Sequence, residues 1–88
     1  MSNAMRRGLA RLMLRWPEKR TELVRRARDD QRFGELCEAY ESACAAIEYW
    51  THSPAATAEE RTVEYRALAS ATEHDILEML SLLENKKS

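Results

Sequence analysis

Four side chains in this sequence could ligate a metal, Cys37, Cys44, His52 and His74, and three could in principle run acyl transfer, Ser70, His74 and Asp75. Neither set has the spacing its chemistry needs. The metal candidates are separated by six, seven and twenty-one intervening residues, so there is no C-x2-C or H-x3-H pair to clamp an ion. Ser70 and His74 are four apart, as on one helix face. Asp75 directly follows His74, however, and at about 100° per residue it points away from the imidazole it would have to orient. Gly8 and Gly34 stand alone, without the clustered glycines of a phosphate-binding loop. The sequence therefore assigns no catalytic, cofactor-binding or metal residue, and the chain is expected not to be an enzyme.

The remaining chemistry is charge. Residues 6–32 carry ten cations and four acids, a net of +6, whereas residues 33–88 carry four cations and eleven acids, a net of −7. A total of −1 thus hides strong polarity along the chain. Such asymmetry marks nucleic-acid or membrane surfaces in some proteins. Here an acidic half of matching size is covalently attached, so self-neutralisation within or between subunits is the more economical account. The candidate partner or interface contacts are Arg6, Arg7, Arg11, Arg15, Trp16, Arg25, Arg26 and Trp50. Leu9, Leu12, Met13 and Trp16 form an apolar side opposite arginines, which predicts that the segment packs on the acidic part of its own chain. The alternative is a nucleic-acid or anionic-membrane binder that uses the basic arm 6–32.

The elements that must position these groups are helices. Two glycines, two prolines, two valines and two isoleucines in 88 residues leave little for turns or strands, and no period-2 run occurs. Pro17 ends a first short helix over about 6–15 and opens a second over about 18–29, which buries Leu23, Val24 and Ala27. Asp29-Asp30 offers an N-cap to a third helix, the alternative being one helix that runs uninterrupted through this point. Phe33, Leu36, Tyr40, Ala43, Ile47 and Trp50 then recur at intervals of 3 and 4, a coiled-coil-like seam that should stop near His52 because Ser53-Pro54 follows. Thr57 and Glu60 form a capping box for a fourth helix, whose apolar face runs through Tyr65, Leu68, Ala69, Thr72, Ile76, Met79, Leu80 and Leu83. The expected core includes Leu36, Tyr40, Ile47, Leu68, Ile76 and Leu80. Helices three and four, joined by about five residues, are expected to lie antiparallel. The fold class expected is all-α: an antiparallel helical hairpin with two short N-terminal helices, closing a small helical bundle.

The stretch RFGELCEAYESACAAI, residues 32–47, resembles the signature of the small YdcH-like bacterial proteins, with Phe33, Leu36 and Ile47 at matching intervals. TEHDILEML, residues 72–80, is similar to that family's closing acidic-apolar segment, and TELV, residues 21–24, to its short first helix. The end of the third helix at Tyr49-Trp50, the arm from Met5 to Trp16 and the acidic closing helix depart from the family pattern. The resemblance implies a helical hairpin of unknown biochemical role.

Residues 1–4 read as an expression-tag scar, 5–16 as a basic amphipathic arm, 17–84 as the hairpin domain and 85–88 as a polar tail. Cys37 and Cys44, seven residues apart on one helix, would be about 10 Å apart, beyond the roughly 7 Å a disulfide allows. With no apolar stretch near the roughly 20 residues of a membrane span, the chain is expected to be cytoplasmic and reduced. A core this small leaves apolar surface at the end of the fourth helix, so a homo-oligomer, most simply a dimer, is expected, with no cofactor and possible further protein partners. The function expected is that of a small protein–protein interaction or oligomerisation module.

Overall fold

A computed structural model describes the backbone of residues 1–87 and the side chains of residues 1–81. Among the described residues every regular element is helical: α1 (Asn3–Arg15), a 3-10 turn (Pro17–Lys19), α2 (Arg20–Asp29), α3 (Gln31–Thr51) and α4 (Ala58–Lys87). The breaks fall where local chemistry demands them. Trp16 leaves the helical region before Pro17, and its amide still donates to the Leu12 carbonyl at 2.8 Å. Asp30 is extended, which separates α2 from α3, and its carboxylate accepts from the amides of Arg32 and Phe33 at 3.0 and 3.3 Å. The 52–57 connection opens with the Ser53 amide on the Trp50 carbonyl, and α4 starts at Ala58, one residue after Thr57.

Two boundaries differ from the sequence expectation. α1 starts at Asn3 rather than about residue 6, because the Ser2 hydroxyl accepts from the Met5 amide and also donates to Glu38. Asn3 and Ala4, read above as part of a tag scar, thus belong to the helix, and Ser2 caps it. α4 continues through Lys87, beyond the limit of 84, and its 30 residues span about 45 Å, most of the molecule's 50 Å long axis.

α3 is the central element, packed against α4, α1 and α2. One core joins all four helices: Leu9 and Leu12 from α1, Leu23 and Ala27 from α2, Phe33, Cys37, Tyr40 and Ala43 from α3, and Ala69, Ile76 and Leu80 from α4. Thr72 is accommodated there because its hydroxyl donates to its own helix, at the Leu68 carbonyl.

The expected core is right for Tyr40, Ile76 and Leu80 but not throughout. Leu36 and Ile47 are only half-buried, and Leu68 is 51% exposed. Leu68 lies about 140° around α4 from Glu73, the edge that Arg15 of α1 reaches. Val24 is likewise exposed, since α2 turns only its Leu23–Ala27 row inward. In exchange Cys37, beside the seam rather than in it, is fully enclosed because α1 lies over it. Ile76 and Leu80 are closed off within the single chain, so this part of the surplus surface on α4 needs no partner. Leu83 lies outside the described side chains.

Candidate interaction site

The basic arm meets the acidic half at a polar cluster where α1, α3 and α4 converge. On α1, Gly8, Arg11 and Arg15 follow one another at intervals of three and four, so they share one edge. On α3, Glu41 and Glu48 are seven apart and share another. The Arg11 guanidinium bridges the two acids, with Nε donating to Glu41 at 2.6 Å and Nη1 to Glu48 at 2.8 Å. Glu41 is only 8% exposed, an otherwise costly place for a carboxylate that the guanidinium fork makes tolerable. These two charged hydrogen bonds push the already high Arg11 pKa further up, against a smaller opposing effect of burial.

Arg15 reaches α4, where its Nε lies 2.9 Å from Glu73. The same Glu73 oxygen accepts from the Tyr40 hydroxyl at 2.6 Å, which ties α3 to α4. Burial, then the bond to Glu73, raises the Tyr40 pKa. Cys44 is half-buried near Tyr40; burial pushes its thiol pKa up, while Arg11 opposes the shift. Cys37, fully enclosed, is pushed up to about 11 by burial and by Glu38. Both shifts favour the protonated, less nucleophilic thiol, and Cys37 is the more deeply enclosed of the two.

α1 can approach this closely because of Gly8. A Cβ there would overlap the carbonyl oxygen of Cys37 and lie 2.8 Å from its carbonyl carbon, so the helices touch backbone to backbone. Spacing alone gave no role to Glu41, Glu48, Glu73 or the Tyr40 hydroxyl, and Gly8 stood out only as an isolated glycine. The signal was present in the heptad spacing of Glu41 and Glu48, but nothing local says that α1 would land on that edge.

The sequence-derived contacts divide between two roles. Arg11 and Arg15 are engaged by the chain's own carboxylates, and Trp16 packs half-buried against the core. Arg26 is half-buried with its Nε 3.5 Å from Asp30, too poorly aligned for a hydrogen bond. Trp50 is half-buried and meets the exposed Tyr49 edge to face, with ring centroids 5.0 Å apart. Arg6, Arg7 and Arg25 stay exposed, with no carboxylate within ion-pair distance among the described residues. The metal candidates stay dispersed: Cys37 lies under α1, His52 has Nδ1 2.9 Å from the Glu48 carbonyl oxygen, and His74 lies exposed on α4. No helix among the described residues is long and apolar enough to cross a membrane.

Compared with protein-family models, with curated proteins and with solved structures, the chain matches none.

Proposed function

We propose that this chain is a small helical protein–protein interaction or oligomerisation module, acting in the reducing cytoplasm as a homo-oligomer and without catalytic activity. One observation carries the reading: the arm's arginines Arg11 and Arg15 are held by Glu41, Glu48 and Glu73 of the same chain. A cation already bridged by two carboxylates is a poor grip for phosphate, because it must first surrender charged hydrogen bonds. The arm thereby belongs to the fold, and what remains for partners is the outer surface. The antiparallel hairpin of α3 and α4 is part of the proposal. Its support is the short 52–57 connection together with the Tyr40–Glu73 bond, which joins the two helices well away from that connection. The resemblance to the YdcH-like proteins adds the same shape and no activity.

Salt titration tests the reading. Against duplex DNA and against anionic vesicles the chain should bind weakly at low salt. A phosphate-gripping arm using six or more cations would instead lose on the order of a thousandfold in affinity between about 50 and 200 mM salt. Tight binding with that slope overturns the proposal in favour of a surface binder using residues 6–32.

A further inference from the structure

Internal pairing leaves a second charge pattern on the outside of the molecule. On α2 the exposed Val24 is ringed by Arg20, Thr21, Arg25 and Arg28, which together line a shallow depression. These are positions i−4, i−3, i+1 and i+4 about the valine, one contiguous face of a helix. In the first turns of α4 the exposed Val63 is ringed at the same four offsets by Glu59, Glu60, Glu64 and Ala67. One valine stands among cations and the other among three carboxylates, with the exposed Arg66 at i+3 on the flank of the second.

We propose that these faces are the two halves of one contact between copies of the chain. α2 of one copy lies on the start of α4 of a second, Val24 against Val63, with Arg20, Arg25 and Arg28 among Glu59, Glu60 and Glu64. The inference rests on the reading of the chain as a self-associating module. Within one chain α2 packs on α1 and α3, and both valines remain exposed, so the match is not consumed internally. Used reciprocally, the contact occurs twice and closes a two-fold dimer.

The charge pattern favours a second copy over a phosphate backbone. Residues 17–30 interleave five cations with Glu18, Glu22, Asp29 and Asp30, and Asp29 lies 3.5 Å from Arg28. Glu22 and Asp29 lie about 140–160° around α2 from Val24. Asp29 nevertheless already draws on Arg28, and the carboxylates at matching offsets about Val63 can be set against individual arginines. The contact is weak, since exposed pairs contribute little and the apolar centre is two valines. Glu64 must also leave or share Arg61, now 3.2 Å away.

Sedimentation velocity of the full chain, run over a concentration series, tests this. Wild type should self-associate at high micromolar concentration, with the dimer weakening about tenfold or more between roughly 50 and 500 mM salt. The double variants Arg25→Glu/Arg28→Glu and Glu60→Arg/Glu64→Arg should each be monomeric with unchanged helical melting, and their equimolar mixture should dimerise. If a reversed pair unfolds, Arg25→Gln and Glu64→Gln take its place and should each weaken the dimer severalfold. Dimers that survive both reversals overturn this contact and leave the module reading standing, as does a mixture that stays monomeric. Wild type that is monomeric at every salt and concentration overturns both. Duplex DNA retained by wild type and released by Arg25→Glu/Arg28→Glu assigns the α2 face to phosphates and also overturns the contact.

Discussion

Gly8→Ala is the sharpest probe of the docked arm, because two opposed effects act at one position. In an isolated helix the substitution gains about 0.8–1 kcal/mol of propensity. In this fold the new Cβ runs into the Cys37 carbonyl, which is backbone of the central helix and cannot swing aside. α1 must lift. A gap of about 0.5–1 Å forfeits a quarter to a half of each dispersion contact, and the residues beneath are Leu9 and Leu12, 5% and 0% exposed. Each such side chain contributes about 1.5–3 kcal/mol when buried, so the pair loses roughly 1–3 kcal/mol, the usual range for overpacking. Arg11 would also be drawn away from Glu41, which leaves that buried carboxylate without its counter-charge. The net expectation is a loss of about 1–2 kcal/mol, or roughly 4–16 °C in melting temperature for a domain this size.

Gly34→Ala is the matched control. Its Cβ would meet the sulfur of Met5, the mobile end of a flexible side chain. The propensity gain should then survive, and stability should stay level or rise by up to about 1 kcal/mol. Thermal and urea melts at one fixed protein concentration give both numbers. A Gly8→Ala protein as stable as wild type, or more so, refutes the backbone contact between α1 and α3, and with it the assignment of the arm to the fold.

Other expectations follow from the same packing. Ile76→Ala should cost about 2–5 kcal/mol in urea unfolding, whereas the half-buried Ile47→Ala should fall below that range. Tyr40→Phe should cost about 1 kcal/mol, less than the usual bond to a charged acceptor, because Glu73 keeps Arg15. In a timed alkylation followed by mass spectrometry, Cys44 should label before Cys37. Because burial raises the Cys37 pKa from 9.0 to about 11, its protonated form is favoured by folding. That contribution is complete below pH 9 and lost as pH rises towards 11, so Cys37→Ala should flatten the alkaline fall in stability over that window. Removal of residues 5–16 deletes Leu9 and Leu12 from the core and should abolish cooperative melting rather than merely lower its midpoint.

The sequence by itself determined the elements. Pro17 and Ser53-Pro54 act on their own dihedrals and amides, so the ends of α1 and α3 could be read without neighbours. Asp30 left open either a break or a continuous helix, and the 3-4 repeat told helix from strand over Phe33–Trp50. The charge division between halves also foretold that the arm would meet acids. Which acids, and which face of each helix would be covered, was a tertiary decision. A helical repeat defines a stripe wider than one neighbour can bury, so Leu68 and Ile76 look equivalent in sequence although one is 51% exposed and the other enclosed. The choice depends on where α1 comes to rest, and that is set by the one point where a missing Cβ lets two backbones touch. A glycine in mid-helix carries no sign of this in its own sequence neighbourhood. Glu41 is buried and Cys37 is sealed because α1 crosses α3 at Gly8.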